Sequence, residues 1–471
     1  MKNIFWKRER IEIMTALALF NYVFLGAEYL FDNMMAFQTD SGGVVLAQSY
    51  VLGSSTVGFL LFGVLDGRLR ERAKKAGSAG AGVLAAVCLW VIQVHQSYGS
   101  TLAAGLILYV LLGIAGSLVH YRAACRYGME EHLAKTVGVS YAIGLFLQFL
   151  ENNLIHNAAL EAVILAVAFG VLLFLVEKKK VAGSLMERNL YESDPIRHPY
   201  AAAVMLIFTV ALMTCIFATL DNVVTLGHAG GSMDIGQWPR LILAVSGLVS
   251  GVLFDYGKGR YRNLIIYCVT LLSTVCILVI VSGGSFLLGL IVFYLSAGFF
   301  VVFFSTGFVR LAGYMRVPQF WAGMGRAVNN LCAILIGSFS VALIRSGDST
   351  KIMIASIGLF VLISIAIYIY TVMGQTDVEL PDQERKQEEE QDYFSAFADT
   401  YALTEREQEV LKMLLASDEE VQEIANRLYI SRAMLYRYIS SLNKKTDTNS
   451  RIGLIQFYYT WKPEKKADYD D

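Results

Sequence analysis

Charge is scarce in this chain. Only 17% of its 471 residues are Asp, Glu, Lys or Arg, while 55% are hydrophobic and the mean hydropathy is +0.51. Soluble domains carry about 25% charged residues, so the composition places the chain among membrane proteins. Its six cysteines (Cys88, Cys125, Cys215, Cys268, Cys276 and Cys332) stand singly in or beside apolar segments, with no CxxC pair. That spacing suggests neither a disulfide framework nor a zinc site, and it reads as small buried hydrophobes. The six histidines are equally scattered. No GxxxxGK[ST], GxSxG or HExxH occurs, so the common catalytic signatures are missing. No cofactor or metal is called for, and no reading of the chain requires an enzyme.

What is present in abundance is long apolar runs. A run of about 20 such residues crosses the roughly 30 Å core of a bilayer as a helix. Twelve are expected, near 11–31, 43–65, 78–96, 101–122, 136–156, 158–176, 199–220, 237–254, 263–282, 285–309, 319–344 and 352–373. The loops between them alternate in charge. One set holds Lys2, Lys7, Arg8 and Arg10, then Arg68, Arg70, Arg72, Lys74 and Lys75, then Arg122, Arg126 and Lys135. It continues with Lys178 to Lys180, Arg188, Arg197, Lys258, Arg260, Arg262, Arg310 and Arg316; the other set holds little beyond Arg345 and Lys351. By the positive-inside rule the first set faces the cytoplasm, and so do both termini of a multi-pass inner-membrane protein. The first run is too long for a signal h-region and lacks a small-residue cleavage site, so it is expected to be a retained span.

The spans repeat internally. Leu30-Phe31-Asp32-Asn33 returns as Thr219-Leu220-Asp221-Asn222, 189 residues on, and Asp66 returns at the same offset as Asp255. The settings of the second pair are FGVLDGRLRER (62–72) and SGVLFDYGKGRYR (250–262). The latter resembles the loop signature G-x-L-x-D-x-x-G-[RK]-x-[RK] of the major facilitator superfamily through Gly251, Leu253, Asp255, Gly257, Lys258 and Arg260. The earlier copy lacks a residue and a glycine. In such a loop a small residue lets neighbouring helices approach, the Asp can bond a facing helix N-terminus, and basic residues hold the loop at the anionic leaflet. The expected fold is therefore all-α. A major-facilitator-like bundle of two six-helix halves (about 1–176 and 199–373) is followed by an acidic linker over 374–400, a helical domain over 401–462 and a polar tail over 463–471.

The helical domain reads as four helices. Thr404 and Glu407 form a capping box, in which each side chain serves the other's backbone N–H. Val410, Leu411, Leu414 and Leu415 give the first helix one apolar face, and Val421, Ile424, Ala425 and Leu428 do so for a second. Ser431 can cap a third helix that buries Leu435, Ile439 and Leu442. Its other side holds Arg437, Ser440 and Lys444, and from Arg432 through Lys445 the helix carries four basic residues and no acid. A positive face of that kind suits a DNA groove. A fourth helix is expected from Ser450 to about Thr460.

LTEREQEVLKML, EIANRLYIS and the segment from Ile439 to Lys445 together resemble the LuxR-type helix-turn-helix domain. The resemblance implies that the third helix enters the major groove, with reading positions at Tyr436, Arg437 and Ser440 and phosphate contacts near Ser431 and Met434. Arg432 and Lys444 complete the expected DNA-binding set. It also implies promoter DNA and RNA polymerase as partners, and a homodimer paired through the fourth helix. The chain departs from the family pattern at Met434-Leu435-Tyr436-Arg437-Tyr438, where Thr-Val-Lys-x-His is usual. There Arg437 offers bidentate recognition of guanine in place of the lost lysine. A usual glycine before the second helix is Asp418, followed by Glu419 and Glu420.

Ionisable residues inside spans cost about 2.5–3.5 kcal/mol each on insertion scales and tend to face the bundle interior. Glu28, Tyr29, Asp32 and Asn33 in span 1, Glu151 and Asn152 in span 5, and Asp221 and Asn222 in span 7 are the expected ligand residues. Trp238 and Arg240 in span 8 and Arg326 and Asn329 in span 11 join them. Arg326 is expected either to meet a ligand carboxylate or to snorkel inward or pair with a neighbouring helix. Acids and amides exceed bases in this set, so a polar or cationic, partly aromatic ligand fits better than an anion. The outer loops are short, the longest being Val223 to Gln237, so an external signal must be read within the bundle. Three functions remain open: a membrane-embedded one-component transcription regulator, a transporter with a regulatory tail, and an anchored scaffold.

Overall fold

The computed structural model describes residues 8–127, 132–177, 199–231, 238–346, 348–374, 393–416, 421–428 and 430–461, and these contain helices and turns but no strand. Lys2, Lys7, Lys178 to Lys180, Arg188, Arg197, the acidic stretch 375–392, Asp418 to Glu420 and the tail beyond residue 461 lie outside the described residues. The chain divides into two compact units, Met1–Thr376 and Asp377–Asp471.

The first unit holds α1 (Arg8–Met35), α2 (Ser41–Arg68), α3 (Glu71–Val94), α4 (Tyr98–Tyr127), α5 (Leu133–Leu154) and α6 (Ala158–Glu177). A second set follows as α7 (Pro199–Ala229), α8 (Trp238–Asp255), α9 (Arg262–Val281), α10 (Phe286–Ala312), α11 (Met324–Ser346) and α12 (Ser349–Gly374). Among the described residues, eleven helices are long and apolar enough to cross a membrane, and the apolar stretch of α11 is the shorter Met324–Ile336. Two expected boundaries move. The helix expected from 319 opens instead as a separate turn, Pro318–Trp321, and α11 starts after Gly323. At Gly323 a Cβ would meet the Phe59 ring at 2.8 Å. α7 runs on to Ala229, so much of the glycine-rich loop expected from Val223 is helix.

Burial separates the helices by threes. Within the most apolar window, α3, α6, α9 and α12 bury 22%, 33%, 33% and 22% of their residues, whereas the other long helices bury 50–72%. Every third helix is therefore peripheral and presents apolar side chains to lipid, such as Val83, Val87 and Trp90 of α3. The remaining helices pack around the middle of the bundle.

The two halves join where backbones come close. α5 meets α8 through Gly138, Gly247 and Gly251: a Cβ on Gly138 would lie 2.4 Å from the Gly247 carbonyl, and one on Gly251 would lie 2.8 Å from that of Ala134. Small residues are what allow such approach in lipid, where helices gain no hydrophobic drive to associate. Asp255, at the end of α8, then accepts from the backbone N–H groups of Ala134 at 3.2 Å and Lys135 at 2.6 Å. Those groups open α5, so the carboxylate also meets the positive end of its dipole. The repeat-related Asp66 ends α2 in the same way, but it pairs with Lys74 at 2.7 Å and accepts from Gln319 at 3.4 Å, in the turn ahead of α11. Asn330 donates to Ser55 at 2.8 Å and Thr56 to the Ala327 carbonyl at 3.2 Å along α2 and α11. Each half thus fastens its second helix to the fifth helix of the other. The copy that lacks a residue and a glycine meets side chains and not a helix N-terminus.

The second unit contains α13 (Glu405–Ala416), α14 (Val421–Arg427), α15 (Arg432–Thr446) and α16 (Arg451–Thr460). Leu411, Ile424, Ala425, Leu435, Leu442 and Leu454 form its core, all fully buried. One expectation is corrected here. Residues 393–400, expected to be the end of the linker, are helical and belong to this core. Phe397 is fully buried among the rings of Tyr401, Phe457, Tyr458 and Trp461, and the Tyr393 hydroxyl donates to the carbonyls of Tyr458 and Trp461. Three aromatic side chains in an acidic stretch supply the burial that a solvated linker lacks.

The glycine join makes a paired expectation. Gly138→Ala, with no space for its methyl, should cost about 1–3 kcal/mol and lower the Tm of the detergent-solubilised protein by several degrees. Gly80→Ala on α3, where nothing lies within 4 Å, should leave Tm unchanged or raised. Equal melting of the two variants, read by the loss of the monodisperse peak on heating, would contradict the glycine-packed join.

Candidate functional site

Two sets of side chains are brought together, one in each unit. In the second unit, Ser431 caps α15 by accepting from the Met434 N–H at 3.2 Å. Leu435, Ile439, Leu442 and Thr446 form the buried face of the helix. All seven residues expected to touch DNA are exposed: Ser431, Arg432, Met434, Tyr436, Arg437, Ser440 and Lys444. At 3.6 residues per turn, positions 432, 436, 437, 440 and 444 fall within roughly 140° of arc. The Arg432 guanidinium lies 5.6 Å from the centre of the Tyr436 ring, which pre-orders both side chains.

Lys445 does not belong to that face. Its ammonium pairs with Glu407 at 2.7 Å and donates to the Ala402 carbonyl at 2.7 Å. Glu407 is the residue of the capping box: its carboxylate accepts from the Thr404 N–H at 2.8 Å, while the Glu407 N–H reaches the Thr404 hydroxyl at 3.4 Å. Ser441 of α15 also donates to it, at 2.6 Å. The carboxyl is thus a buried tie between the start of α13 and the far end of α15. Burial alone would raise its pKa, but the bonds from Lys445, Ser441 and Thr404 outweigh that and lower it from 4.5 to about 2. On α16, Ile452 and Tyr459 are 69% and 67% exposed, on the side away from the core residues Leu454 and Tyr458.

In the first unit, Glu28 and Asp32 leave α1 toward the middle of the bundle. Glu28 accepts from Gln48 of α2 at 2.7 Å. Asp32 is 2% exposed, and neither carboxylate oxygen has a hydrogen-bond partner among the described residues. Asp221 of α7 and Arg240 of α8 act electrostatically on both. Around them stand Tyr109 of α4, Tyr141 of α5 and Tyr294 of α10, each within the electrostatic reach of Glu28 and Arg240. Glu28 and Asp221 lie deep among protein atoms yet keep partly accessible surface, so the group borders internal space. Where α1 and α7 end, Tyr29 stacks on His228 at 5.5 Å and Asn33 bonds the same imidazole at 3.0 Å.

The other expected residues have other partners, although Arg326 stays within electrostatic reach of Glu28. Arg326 is buried, donates to Asn21 at 3.3 Å and lies over the rings of Phe24 and Phe304 at 5.4 and 5.5 Å. It thereby links α11 to α1 and α10. Asn329 accepts from Thr214 of α7 at 3.2 Å and donates to Asn330 at 3.1 Å. Glu151 faces Tyr22 and Glu161 on the side of α1 that carries Gly26, apart from the central group. That side lies roughly 200° around the helix from Glu28. Asn152 follows it on α5, Asn222 is buried on α7, and Trp238 stands 39% exposed at the head of α8, outside the buried group. A separate cavity of about 750 Å³ lies between α2, α3, α4 and α6, beside the small residues Ala73, Gly77 and Ala81. None of the residues expected to bind ligand lines it.

The sequence reading missed Gln48, His228, Tyr109, Tyr141 and Tyr294. A lone glutamine within an apolar run was a usable signal for the first. With 25 tyrosines in the chain, residue type alone could not single out three.

Comparison with known proteins agrees with both geometries. Residues 401–458 match the luxR family of bacterial regulatory proteins (GerE). Solved structures similar to this chain include a POT family transporter in complex with a thioalcohol-conjugated peptide (9% identity, TM-score 0.57, 78% of this chain and 97% of that one). Another is the major facilitator superfamily transporter FucP in the outward conformation (13%, 0.55, 78% and 99%). A third is the human organic anion transporter MFSD10, or TETRAN (17%, 0.50, 78% and 98%). At these identities the likeness shows the fold alone. No curated protein matches the chain. The chain carries a LuxR-family helix-turn-helix domain behind a membrane bundle with the major facilitator fold.

The Glu407 tie sets a pH dependence. Its pKa falls on folding, so its contribution is fully present above pH 4.5 and is lost as pH drops toward 2. The contribution is about 2–3 kcal/mol. Urea unfolding of fragment 377–471 should therefore show stability falling through this window, and Glu407→Gln should remove most of the fall. Identical pH profiles for the two fragments would contradict the tie.

Proposed function

We propose that the protein is a membrane-embedded, one-component transcription regulator that reads a small molecule in its bundle and binds promoter DNA through α15. One observation carries this reading. A single chain joins an exposed basic recognition face to a bundle whose centre holds ionisable side chains from α1, α7 and α8, in part without partners. Structural helices avoid that cost in lipid. The basic loops support a placement of both termini in the cytoplasm at a bacterial inner membrane, where chromosomal DNA and RNA polymerase are reached. Ile452 and Tyr459 give α16 an apolar face for pairing two domains on DNA, as LuxR-type domains do. Ligand control requires only that the ligand bind the two bundle states with different affinity.

A second reading has its own support: the fold is that of transporters, and Asp32 and Asp221 are carboxylates of the kind proton coupling uses. Uptake of a solute into proteoliposomes, lost in Asp32→Ala, would favour it over regulation.

Chromosomal occupancy of the full-length protein in intact cells separates the readings. Discrete peaks are expected, lost in the Arg437→Ala, Ser440→Ala double variant and weakened at least tenfold by Ile452→Glu. Peaks that persist in the double variant, or none under varied growth conditions, would overturn the regulator reading.

A further inference from the structure

The central group has an unbalanced charge. It contains three carboxylates, Glu28, Asp32 and Asp221, against two guanidinium groups, Arg240 and Arg326. Glu28 is already served by Gln48. Asp32 is not served: it is 2% exposed and neither oxygen accepts a hydrogen bond. A buried carboxylate in that state carries a large desolvation cost unless a cation or proton meets it.

The two aspartates have a second property. Asp32 and Asp221 occupy equivalent positions in the two halves, 189 residues apart in sequence, and they act on each other across the join. Like charges from equivalent helices therefore lie within electrostatic reach of each other. The arginines have no such counterparts: 189 residues before Arg240 and Arg326 stand Val51 and Val137. One positive charge placed between the aspartates balances the group.

We propose that this centre recognises a small organic monocation, an ammonium group held between Asp32 and Asp221 beside the rings of Tyr141 and Tyr294. The inference rests on the reading of the bundle as a ligand site. Three observations select this class. No group of three or more His, Cys, Asp or Glu among the described residues is placed to hold a metal ion. A ligand carboxylate finds poor welcome, because Arg326 is engaged by Asn21, Phe24 and Phe304 and Arg240 faces three acids. Aromatic rings near the acids suit an ammonium through the ring face, an attraction that strengthens when the pair is desolvated.

The test uses purified full-length protein in detergent at pH 7 and a graded series of alkyl and phenylalkyl amines. Each amine is matched by its neutral alcohol and its carboxylate, and binding is read from the rise in Tm with concentration. Amines should bind, with alcohols and carboxylates at least tenfold weaker. Asp32→Asn and Asp221→Asn, both nearly isosteric, should each weaken amine binding at least tenfold. Glu161→Gln, on the α6 side of the bundle, should not. Binding of alcohols or carboxylates as tight as that of amines overturns the inference, as does amine binding that survives both substitutions. If no member of any class binds, the inference falls. The sensing reading is then judged apart from it, by whether Asp32→Asn changes DNA occupancy in cells.

Discussion

The contact between α5 and α8 is the constraint on which the rest of the bundle depends. In lipid, two helices gain nothing from burying apolar surface against each other, so what holds them is close packing and polar bonds. Gly138, Gly247 and Gly251 supply the first, and Asp255 on the α5 N-terminus supplies the second. One helix comes from each half, so this contact and its counterpart at α2 and α11 fasten the halves together. Glu28, Asp32, Asp221 and Arg240 lie on helices drawn from both halves.

That placement gives the central charges leverage. A ligand or proton that changes their balance acts where the halves face each other, and its effect is limited by its difference in affinity between the two states. A full switch, from one part in a hundred to ninety-nine, needs about 5.5 kcal/mol of such difference. Neutralising a buried, unpartnered carboxylate is an interaction of that order. In the second unit the Glu407 tie has the opposite character. It locks α13 to α15 through a carboxylate that stays ionised at all physiological pH values, so α15 is held within a tied domain.

Much of the fold was legible because its signals are periodic or repeated. Apolar runs marked the spans, and two Asp residues at one offset marked the halves. Asp255 lands on a helix N-terminus as the loop signature implies, because its small neighbours leave the backbone of α5 within reach. What escaped was tertiary. The helical segment 393–400 sits in an acidic stretch whose average composition hid Tyr393, Phe394 and Phe397. Lys445 looked like one more base on a positive face, and only the fold brings Glu407 to it. Glu151 looked equivalent to Glu28, but the rotation of α1 and α5 sends it to the other side. For the central group, the acids were visible as costly residues in lipid; which of them would be left unpartnered was not.

The central claim is that the state of the bundle governs the DNA-binding domain, and the bundle can be fixed to test it. Asn33 and His228 bond across the ends of α1 and α7 at 3.0 Å, so cysteines at both positions can be bridged by a short bifunctional thiol reagent. With the six native cysteines replaced, promoter occupancy would be compared in cells before and after bridging, across growth conditions. The expected result is occupancy that varies with conditions before bridging and stays at one level afterwards. Occupancy that varies identically in bridged and unbridged cells would contradict the account.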